Sequence, residues 1–296
     1  MKLIVIDNRD SWHVADLIRA AGNRHEVVVC NYMQLHAAIS SSSDTTFLMG
    51  QHDVTDFDCI LTRAMPASSL QQIVFRMDWL DQLQRQTGIL VVNPAKTIEA
   101  SVDKYLSLEL IRSQNVPVPG TRVSQTVAAA IQDFESMDND TVVKPVFGSG
   151  GRGIVRLNDI GEAQIHFEKL VEQQDVIYQQ QYIEHGDSDI RLLVIGDNVI
   201  SMRRTREGQW ITNARLGAHC TAHQPTDAEI SLARDSARAV GAFLSGVDLV
   251  YDSDGNPYVV EINACPAWKA LVKANNTDVA AMILSEIERR LGSSAN

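Results

Sequence analysis

Short apolar runs separated by longer amphipathic stretches mark the first third of the chain. Four runs, at residues 3–6, 26–30, 59–62 and 89–92, are nearly continuous in aliphatic residues. Such runs are typical of strands that are buried on both faces of a parallel sheet. Helical patterns fall between them, most clearly over residues 69–86. Strands and helices therefore alternate, and we predict a small βαβ domain.

The pattern changes after Asn93-Pro94, which we take as the first domain boundary. We predict a helix there, with Ser101 inside it and Lys104 on the adjacent turn. The further predicted strands are residues 141–144, 154–157, 176–183, 190–195, 199–203 and 210–213. The further predicted helices are residues 161–174, 226–244 and 277–291. The fold class is therefore α/β, with a βαβ domain over residues 1–93 and two α+β parts over residues 94–183 and 184–296.

Asp254-Gly255 lies between two runs of β-branched and aromatic residues, which is the strongest short-range signal for a β-hairpin. With these two residues at the centre of the turn, the pairing of the strands can be counted backwards. Tyr251 then faces Tyr258, and Leu249 faces Val260. A loop with an odd number of residues, or a bulge, would lose this register.

The same register places Asp248 directly opposite Glu261, and Asn263 points to the same face because side chains alternate along a strand. Two carboxylates in this relation lie roughly 5 Å apart at Cβ and repel each other. Two carboxylates and an amide oxygen form a set of hard oxygen ligands suited to Mg²⁺. The alternative is a solvated hairpin face. We favour the metal site, because charges buried among apolar neighbours are costly without a cation.

Composition narrows the functional classes. The chain has 296 residues, a net charge of −11 and 45% hydrophobic residues. This acidity argues against a nucleic-acid or anionic-membrane partner, so a phosphate-rich ligand would need a local basic pocket. The cysteines are scattered without a C-x-x-C pair, and the first apolar run is too short for a signal peptide. We therefore expect a cytoplasmic protein.

The glycine-rich stretch over residues 148–153 matches G-x-G-x-x-G. A dinucleotide-binding fingerprint needs a helix after the glycines, but residues 154–157 are predicted as a strand. A glycine loop between two strands can instead fold over phosphates, because glycine accepts positive φ and has no Cβ. A mobile surface hairpin is the alternative. Lys144, just before the loop, favours the phosphate-binding interpretation.

Weaker motifs suggest other classes of protein. Ser101 and Lys104 match the S-x-x-K of serine β-lactamases, but neither S-D-N nor K-T-G is present. A protein kinase is excluded because V-A-I-K, H-R-D and D-F-G are missing. His219, Cys220 and His223 could ligate zinc, an alternative that we rank low because no second ligand pair has the right spacing. We interpret the remaining cysteine near the hairpin, Cys265, as structural.

Taken in order, these motifs resemble the ATP-grasp superfamily, and specifically its RimK-type amino-acid ligases, over nearly the whole chain. The matching stretches are VNPAKTIEASVDKYLSLELIRSQNVPVPGT, VVKPVFGSGGRGIVRL, YIEHGDSDIRLLVIGDNVISMRR and GVDLVYDSDGNPYVVEINACP. The resemblance implies an ATP-grasp fold, with a Rossmann-like N-terminal domain and two α+β subdomains that clamp ATP.

The resemblance also implies roles for individual residues. It assigns ATP to Lys104, Lys144, Gly148, Ser149, Gly150, Gly151, Gly153, Gln180, Gln181, Tyr182, Ile183, Asp189, Arg191 and Asn213. It assigns Mg²⁺, or Mn²⁺, to Asp248, Glu261 and Asn263. It implies that the lysines bind phosphates, that backbone near residues 180–183 meets adenine, and that Asp189 binds ribose. Arg203 and Arg215 are expected to face the γ-phosphate and the acceptor as catalytic residues.

The implied reaction is ATP-dependent amide formation between a carboxylate and an amino acid. Residues 69–80, leading to VVNP, look like the branch that joins L-glutamate to tetrahydromethanopterin-type pterins. We therefore expect L-glutamate and a small carboxylate as partners, in a homo-oligomer without nucleic acid or membrane. The alternatives are glutamylation of a protein or peptide C-terminus, and a nucleotide-binding regulatory protein without catalysis.

Two positions depart from the pattern of the relatives, and the role of a third residue stays open. Many relatives have glutamate where this chain has Gln181, and many have P-G-x-x-G where this chain has Pro266-Ala-Trp-Lys269. The second stretch is expected to line the acceptor pocket, so it bears on acceptor identity. Arg63 ends a predicted parallel strand, where ligands of such sheets bind. It either faces a substrate carboxylate or forms a surface salt bridge.

Overall fold

The computed structural model describes residues 1–41, 45–63, 65–148 and 150–294. Ser149, which the resemblance assigns to ATP, lies outside the described residues. The strands are β1 (Lys2–Ile6), β2 (Glu26–Cys30), β3 (Leu35–Ala38), β4 (Thr46–Met49), β5 (His52–Asp53), β6 (Cys59–Thr62), β7 (Leu90–Val92), β8 (Thr121–Ser124), β9 (Thr141–Val143), β10 (Val155–Leu157), β11 (Ile177–Gln181), β12 (Ser188–Ile195), β13 (Asn198–Thr205), β14 (His219–His223), β15 (Leu244–Tyr251) and β16 (Pro257–Asn263). The helices are α1 (Trp12–Ala21), α2 (Leu70–Thr87), α3 (Ala95–Val102), α4 (Lys104–Ser113), α5 (Val127–Ser136), α6 (Ile160–Glu172), α7 (Asp227–Ala239), α8 (Lys269–Asn275) and α9 (Val279–Ser294).

The N-terminal layer is a sheet in the order β2-β1-β6-β7, with parallel pairing throughout. All four strands predicted from the apolar runs are confirmed. The side chains at residues 3–6 of β1 are fully buried, as the absence of alternation predicted. The helix predicted over residues 69–86 is α2, which begins after Ser69 and ends at Gly88, whose φ is +72°.

A small antiparallel sheet, β3-β4-β5, was not predicted. β4 alternates between exposed and buried positions, which is the pattern of a strand with one solvated face. β3 has a similar alternation. The prediction considered continuous apolar runs in this region, so these half-buried strands were missed.

The central sheet has the order β10-β9-β11-β8 and is antiparallel. The predicted strands at residues 141–144, 154–157 and 176–183 are confirmed as β9, β10 and β11. The predicted helix at residues 161–174 is α6, which packs with α5 through Phe134 and Phe167, whose ring centroids lie 6.3 Å apart. This pairing of two helices on one face leaves the other face of the sheet free for a ligand.

The C-terminal sheet has the order β14-β13-β12-β15-β16. The strand predicted at residues 210–213 is wrong, because this segment has no strand pairing and the edge strand is β14 instead. Thr212 is buried and its hydroxyl donates to Asp189 at 2.6 Å, so the segment crosses the sheet face. The helix predicted to reach residue 244 ends earlier, at Ala239, because Gly241 turns the chain with φ +70° and Leu244 starts β15.

The helix predicted after Pro94 is two helices, α3 and α4. Asp103 separates them, and its side chain accepts hydrogen bonds from the backbone N–H groups of Tyr105 and Leu106. An aspartate in this capping position satisfies donors that a helix leaves unpaired. Lys104 is therefore fixed as the first residue of α4.

The sheets occupy separate stretches of sequence, but helices pack between the layers. α9 lies against α1, and the buried core of β1 also includes Trp268 and Ile283. Ala100 and Ile111, from α3 and α4, pack in the core of the C-terminal sheet. The division at residues 93 and 183 stays a prediction. Among the described residues, no helix combines the length and the apolar character that a membrane span needs.

Asn93 joins the N-terminal layer to the C-terminal sheet. Its buried amide donates to the carbonyl oxygens of Leu244 and Ala264, both at 2.6 Å. Its side-chain oxygen accepts from the N–H groups of Phe243 and Leu244, at 2.8 and 3.1 Å. One side chain therefore pairs four backbone groups next to the ends of β15 and β16.

We predict that Asn93→Ala lowers the free energy of unfolding by about 3 kcal/mol or more, because several buried backbone groups lose their partners. Chemical denaturation monitored by circular dichroism measures this change. The matched control is Asn158→Ala, which removes an exposed asparagine and should change stability by less than about 0.5 kcal/mol. Equal stability of the two variants would contradict the joining role of Asn93.

Candidate active site

Asp248 and Glu261 are paired directly across β15 and β16, as predicted. The pairs predicted for Leu249 and Tyr251 are wrong. Leu249 pairs with Val259 rather than Val260, and the register shifts at this point through a bulge. Nearer the turn, Tyr251 pairs with Pro257 rather than Tyr258.

The loop explains why the acidic pair was still predicted. Asp252 accepts from Asp254 N and Asn256 N with its side chain, and Gly255 N donates to its carbonyl oxygen. Gly255 has φ +83°, so the loop has three residues, with the glycine in the left-handed region that such loops require. The odd loop shifts the register by one residue, and the bulge at Val260 shifts it back. The two shifts cancel at Asp248.

Asp248 is almost completely buried and is held by two arginines. Arg191 Nη1 lies 2.7 Å from its Oδ1, and Arg204 Nη2 lies 3.0 Å from the same atom. Burial would raise the pKa of Asp248, but the charges of Arg191 and Arg204 outweigh it and hold this pKa below the ordinary value. Asp248 therefore stays ionised.

For Glu261, the effects that raise the pKa outweigh those that lower it. Burial and the neighbouring charge of Asp248 raise the pKa of Glu261, although Lys104, Lys144 and Arg191 act against this rise. These three positive charges do not fully offset burial and the charge of Asp248. A bound cation would favour the ionised form of Glu261.

Arg204 and Asp189 extend the charged network. The Arg204 guanidinium binds both Asp189 oxygens, at 2.7 and 2.5 Å, and Thr212 donates to Asp189 at 2.6 Å. Burial raises the pKa of Asp189 despite these partners. Arg204 thus bridges Asp189 and Asp248, and it was missed in the sequence. A signal existed, because a tight turn at Gly196-Asp197 sets Asp189 opposite Arg204.

Gly246 makes room for Arg191. A Cβ atom at this position would overlap the Arg191 guanidinium group. Arg191 lies opposite Asp248, and Gly246 lies opposite Asn263 in the strand pairing. The glycine lets the guanidinium lie across β15 and reach Asp248, a requirement that depends on the neighbouring strand and was not predicted.

The two predicted phosphate-binding lysines lie beside the acidic pair. Lys144 Nζ donates to Gln180 Oε1 at 2.5 Å, and burial lowers the pKa of Lys144 to about 8. Lys104 Nζ donates to the carbonyl oxygen of Gly148 at 3.0 Å. Burial also lowers the pKa of Lys104. Lys104 therefore holds the start of the glycine loop while Lys144 faces the cleft.

The glycine loop packs against the segment around residues 211–215. Gly150, Gly151 and Gly153 all have positive φ. A Cβ at Gly151 would lie 2.6 Å from Asn213 Oδ1, and one at Gly150 would lie 3.3 Å from Arg215 Cδ. Real Cβ atoms do not approach to 2.6 Å, so Gly151 is needed for this contact, and all three positions need glycine for their positive φ. The loop is a flap over the cleft rather than a free surface hairpin.

Nine of the predicted residues line one cleft between the central and C-terminal sheets. They are Lys144, Gln180, Gln181, Tyr182, Ile183, Asp189, Asn213, Asp248 and Glu261. The cleft encloses about 80 Å³, less than the roughly 300–1,000 Å³ of ordinary ligand pockets. A nucleotide would therefore enter only when the flap and the opposite wall separate.

Two other predicted site residues, Arg203 and Asn263, are not among the residues that line this cleft. Arg203 is exposed and pairs with Ile190, whose side chain is in the core beneath α7. Side chains alternate along β13, so Arg203 points away from the cleft and its neighbour Arg204 points into it. The predicted role of Arg203 at the γ-phosphate does not fit this position. Asn263 Oδ1 accepts from Cys265 N at 2.8 Å, which leaves its second lone pair for a further partner.

This geometry can be compared with known proteins. Residues 101–287 match the model of the RimK-like ATP-grasp domain. The chain belongs to the RimK-like ATP-grasp family. Its members are ligases, and this chain is an enzyme of the amide-forming ATP-grasp ligase class. The fold prediction is confirmed.

Several curated relatives of this RimK-like ligase cover its whole length. The tetrahydromethanopterin:alpha-L-glutamate ligase of Methanosarcina acetivorans is 27% identical, over 97% of this chain and 98% of its own. That of Methanocaldococcus jannaschii is 30% identical, over the same shares of both chains. The alpha-aminoadipate–LysW ligase LysX of Saccharolobus solfataricus is 28% identical over 69% of this chain and 76% of its own.

Solved structures share the fold. The ATP-grasp ligase PsnB complexed with its minimal precursor, Mg and ADP has a TM-score of 0.75 at 19% identity, with 98% of each chain covered. A RimK domain protein from Sphaerobacter thermophilus has a TM-score of 0.70 at 22% identity, with 97% of this chain and 100% of that chain covered. These likenesses extend over nearly the whole chain.

The donor set of the RimK-like ligase fits a divalent cation. Asp248 and Glu261 offer hard carboxylate oxygens, and burial together with the charge of Asp248 raises the pKa of Glu261. Within the described residues, no group of three or more His, Cys, Asp and Glu side chains lies close enough to hold a metal ion. The zinc alternative is therefore not supported, and His223 instead contacts Glu229 at 3.0 Å. A cation here would need amide or phosphate oxygens as further ligands.

Arg63 and Trp268 are buried where the hairpin meets the N-terminal layer. Arg63 donates to the carbonyl oxygen of Pro266 at 2.6 Å and stacks on Trp268, 4.3 Å from the ring centroid. Trp268 is fully buried, and its indole N–H donates to Asp16. Arg63 Nε also lies 3.8 Å from Asp7 Oδ2, and both side chains are largely buried, so the salt-bridge alternative is right about the ion pair and wrong about its position at the surface. Trp268 is a core residue and does not line an open pocket.

The lowered pKa of Lys144 generates a prediction about pH. Its pKa of about 8 means that the ammonium group is charged below pH 8 and neutral above it. We predict that ATP affinity falls as pH rises through 8, measured by calorimetric titration from about pH 7 to about pH 10. Lys144→Ala should bind ATP weakly without this step, whereas Lys104→Ala should keep the step. A step retained in Lys144→Ala would contradict the assignment.

Proposed function

We propose that this enzyme joins L-glutamate to the carboxylate of a small-molecule acceptor in an ATP- and Mg²⁺-dependent reaction. The observation that carries the proposal is the Asp248–Glu261 pair, with Asp248 buried and Glu261 half-buried, in one cleft with Lys144 beneath the glycine flap. Two carboxylates at this spacing need cations, and lysine beside them needs anions. A nucleotide triphosphate with a divalent metal satisfies both.

The proposed roles follow the cleft. Lys104 and Lys144 bind phosphate oxygens, Asp248 and Glu261 hold Mg²⁺ together with Asn263, and Asp189 lies at the ribose. When bound, Mg²⁺ would neutralise charge on the transferring phosphoryl group. The N–H groups of Gln181 and Tyr182 already donate to Gly120 and Asp140. Adenine would therefore meet the carbonyl oxygens or the Ile183 amide.

The proposed chemistry has two steps. A carboxylate oxygen of the acceptor attacks the γ-phosphorus of ATP, which releases ADP and leaves an acyl phosphate. The amine nitrogen of L-glutamate then attacks the acyl carbon, loses a proton and expels phosphate, so that an amide forms. Lys144 and Arg215 would stabilise the charge that develops on the phosphate oxygens, and the flap over residues 148–153 would exclude water from the acyl phosphate.

Relatives support glutamate and a pterin-type acceptor. Two curated relatives that match along their whole length are tetrahydromethanopterin:alpha-L-glutamate ligases. A second candidate is a protein or peptide carboxylate, because another relative is the alpha-aminoadipate–LysW ligase LysX and PsnB was solved with a precursor. The acidic composition of this chain favours the small molecule over a basic peptide groove. We further propose a cytoplasmic homo-oligomer and the domain division at residues 93 and 183.

The experiment is a ligation screen. The enzyme is incubated with ATP, Mg²⁺, L-glutamate and one acceptor at a time, including tetrahydromethanopterin, other carboxylate pterins and glutamate-ended peptides. ADP release and mass spectrometry report the reaction. We expect one acceptor to gain a glutamyl residue with stoichiometric ADP release. Turnover only with peptides would favour the second candidate, and tight ATP binding without any turnover would contradict a ligase acting on these acceptors.

The matched pair Glu261→Gln and Glu172→Gln tests the metal role. Glu261→Gln keeps the size of the side chain but removes a charge, so we predict a loss of at least about a hundredfold in turnover with a nearly unchanged melting temperature. Glu172 is exposed on α6, and its glutamine variant should keep full turnover. Full activity in Glu261→Gln would place the metal elsewhere.

A further inference from the structure

His185 lines the nucleotide cleft together with Tyr182 and Asp189, although it was not predicted as a site residue. It lies in the short connection between β11 and β12, where Gly186 turns the chain with a φ of +68°. The residue is half-buried, and the centroid of its ring lies 6.2 Å from that of Tyr182. In the order of the chain, an imidazole therefore stands between the strand assigned to adenine and the carboxylate assigned to ribose.

One hydrogen bond decides which nitrogen of this imidazole can accept. His185 Nδ1 lies 3.1 Å from the carbonyl oxygen of Ser188. A carbonyl oxygen only accepts hydrogen bonds, so Nδ1 carries the hydrogen. In the neutral imidazole, Nε2 then has no hydrogen and is an acceptor. Because the carbonyl of Ser188 belongs to the peptide unit that leads into Asp189, the ring is anchored beside this carboxylate.

Asp189 has little accepting capacity left for a ligand. A carboxylate offers about four lone-pair sites. Arg204 occupies one site on each oxygen, at 2.7 and 2.5 Å, and the Thr212 hydroxyl occupies a further site on Oδ2 at 2.6 Å. By this count a single site remains, on Oδ1. The 2′- and 3′-hydroxyls of a ribose are two donors, so Asp189 accepts from one of them and the other needs a different acceptor.

Several other polar side chains of the cleft are already engaged. Lys144 only donates, and Gln180 Oε1 accepts from it at 2.5 Å. Asn213 Oδ1 faces the flap, where a Cβ at Gly151 would lie 2.6 Å from it. Glu261 belongs to the proposed metal pair. The unprotonated imidazole nitrogen is thus the acceptor available next to the ribose carboxylate.

We propose that His185 Nε2 accepts a hydrogen bond from one ribose hydroxyl of ATP while Asp189 accepts from the other, so that the enzyme selects ribonucleotides over deoxyribonucleotides. A nucleotide that lacks one hydroxyl leaves one of these acceptors without its partner in a poorly solvated cleft, which costs affinity. This inference rests on the proposed function, because it takes the ligand of the cleft to be ATP.

Matched nucleotides test the assignment. ATP, 2′-deoxyATP and 3′-deoxyATP are titrated with Mg²⁺ into the full chain without an acceptor, and calorimetry gives the three Kd values. We expect the chain to bind each deoxy analogue at least about threefold more weakly than ATP, which is the effect of one lost hydrogen bond.

Two variants separate the ribose contact of His185 from its contact with Ser188. In His185→Asn the amide nitrogen can replace Nδ1 at the Ser188 carbonyl, but no atom takes the place of Nε2. In His185→Gln the side-chain amide reaches the position of Nε2. We expect His185→Asn to bind ATP as weakly as the wild-type chain binds one of the two analogues, and to bind that analogue with unchanged affinity. His185→Gln should restore part of the discrimination, and His36→Ala, which removes an exposed imidazole on β3, should leave all three Kd values unchanged.

Equal affinity of the wild-type chain for ATP and both analogues overturns the proposal, and so does full discrimination by His185→Asn. A uniform loss of affinity for all three nucleotides in His185→Asn also overturns it, because a purely structural role has that effect. Discrimination that depends on His185, without any amide formation, supports the ribose contact and refutes only the proposed reaction. A chain that binds none of the nucleotides would refute both.

Discussion

The repulsion between Asp248 and Glu261 is the constraint around which this protein is built. Two carboxylates face each other across one hairpin in a poorly solvated cleft, and their surroundings treat them differently. Arginines neutralise Asp248 directly, whereas Glu261 has only nearby lysines and keeps a raised pKa. The two acids therefore differ, because the arginines hold the pKa of Asp248 low, whereas burial and the charge of Asp248 raise the pKa of Glu261.

The basic side chains around this pair contact different parts of the structure. Arg204, on β13, ties Asp248 on β15 to Asp189 on β12. Lys104 donates to the carbonyl oxygen of Gly148 at the start of the glycine loop. Lys144 donates to Gln180 on β11, and burial lowers its pKa to about 8. Each charge thus connects the acidic hairpin to a different wall of the cleft.

Buried hydrogen bonds also fix the backbone where the hairpin meets the N-terminal layer. Asn93 and Arg63 bind consecutive parts of the backbone after Asn263, and Trp268 fills the core behind it. Buried hydrogen bonds and a buried tryptophan therefore determine the path of the chain after the hairpin.

Local features of the sequence determined much of this protein. Continuous apolar runs identified the parallel strands, glycines with positive φ marked the flap, and Asp254-Gly255 located the hairpin with Asp248 opposite Glu261. Each of these depends on neighbours within a few residues. Even there the pairing held only because an odd loop and a bulge cancelled, and neither is visible in the pattern of residue types.

The tertiary structure alone decided which distant groups meet. Asn93 bonds to Leu244, 151 residues away, and Gly246 is needed because the Arg191 side chain crosses it from the next strand. The face of β13 that enters the cleft selects Arg204 over Arg203, and the burial of Trp268 removes it from the surface. These outcomes follow from the order of strands and the packing of layers, which the alternation of polar and apolar residues along a single strand does not contain.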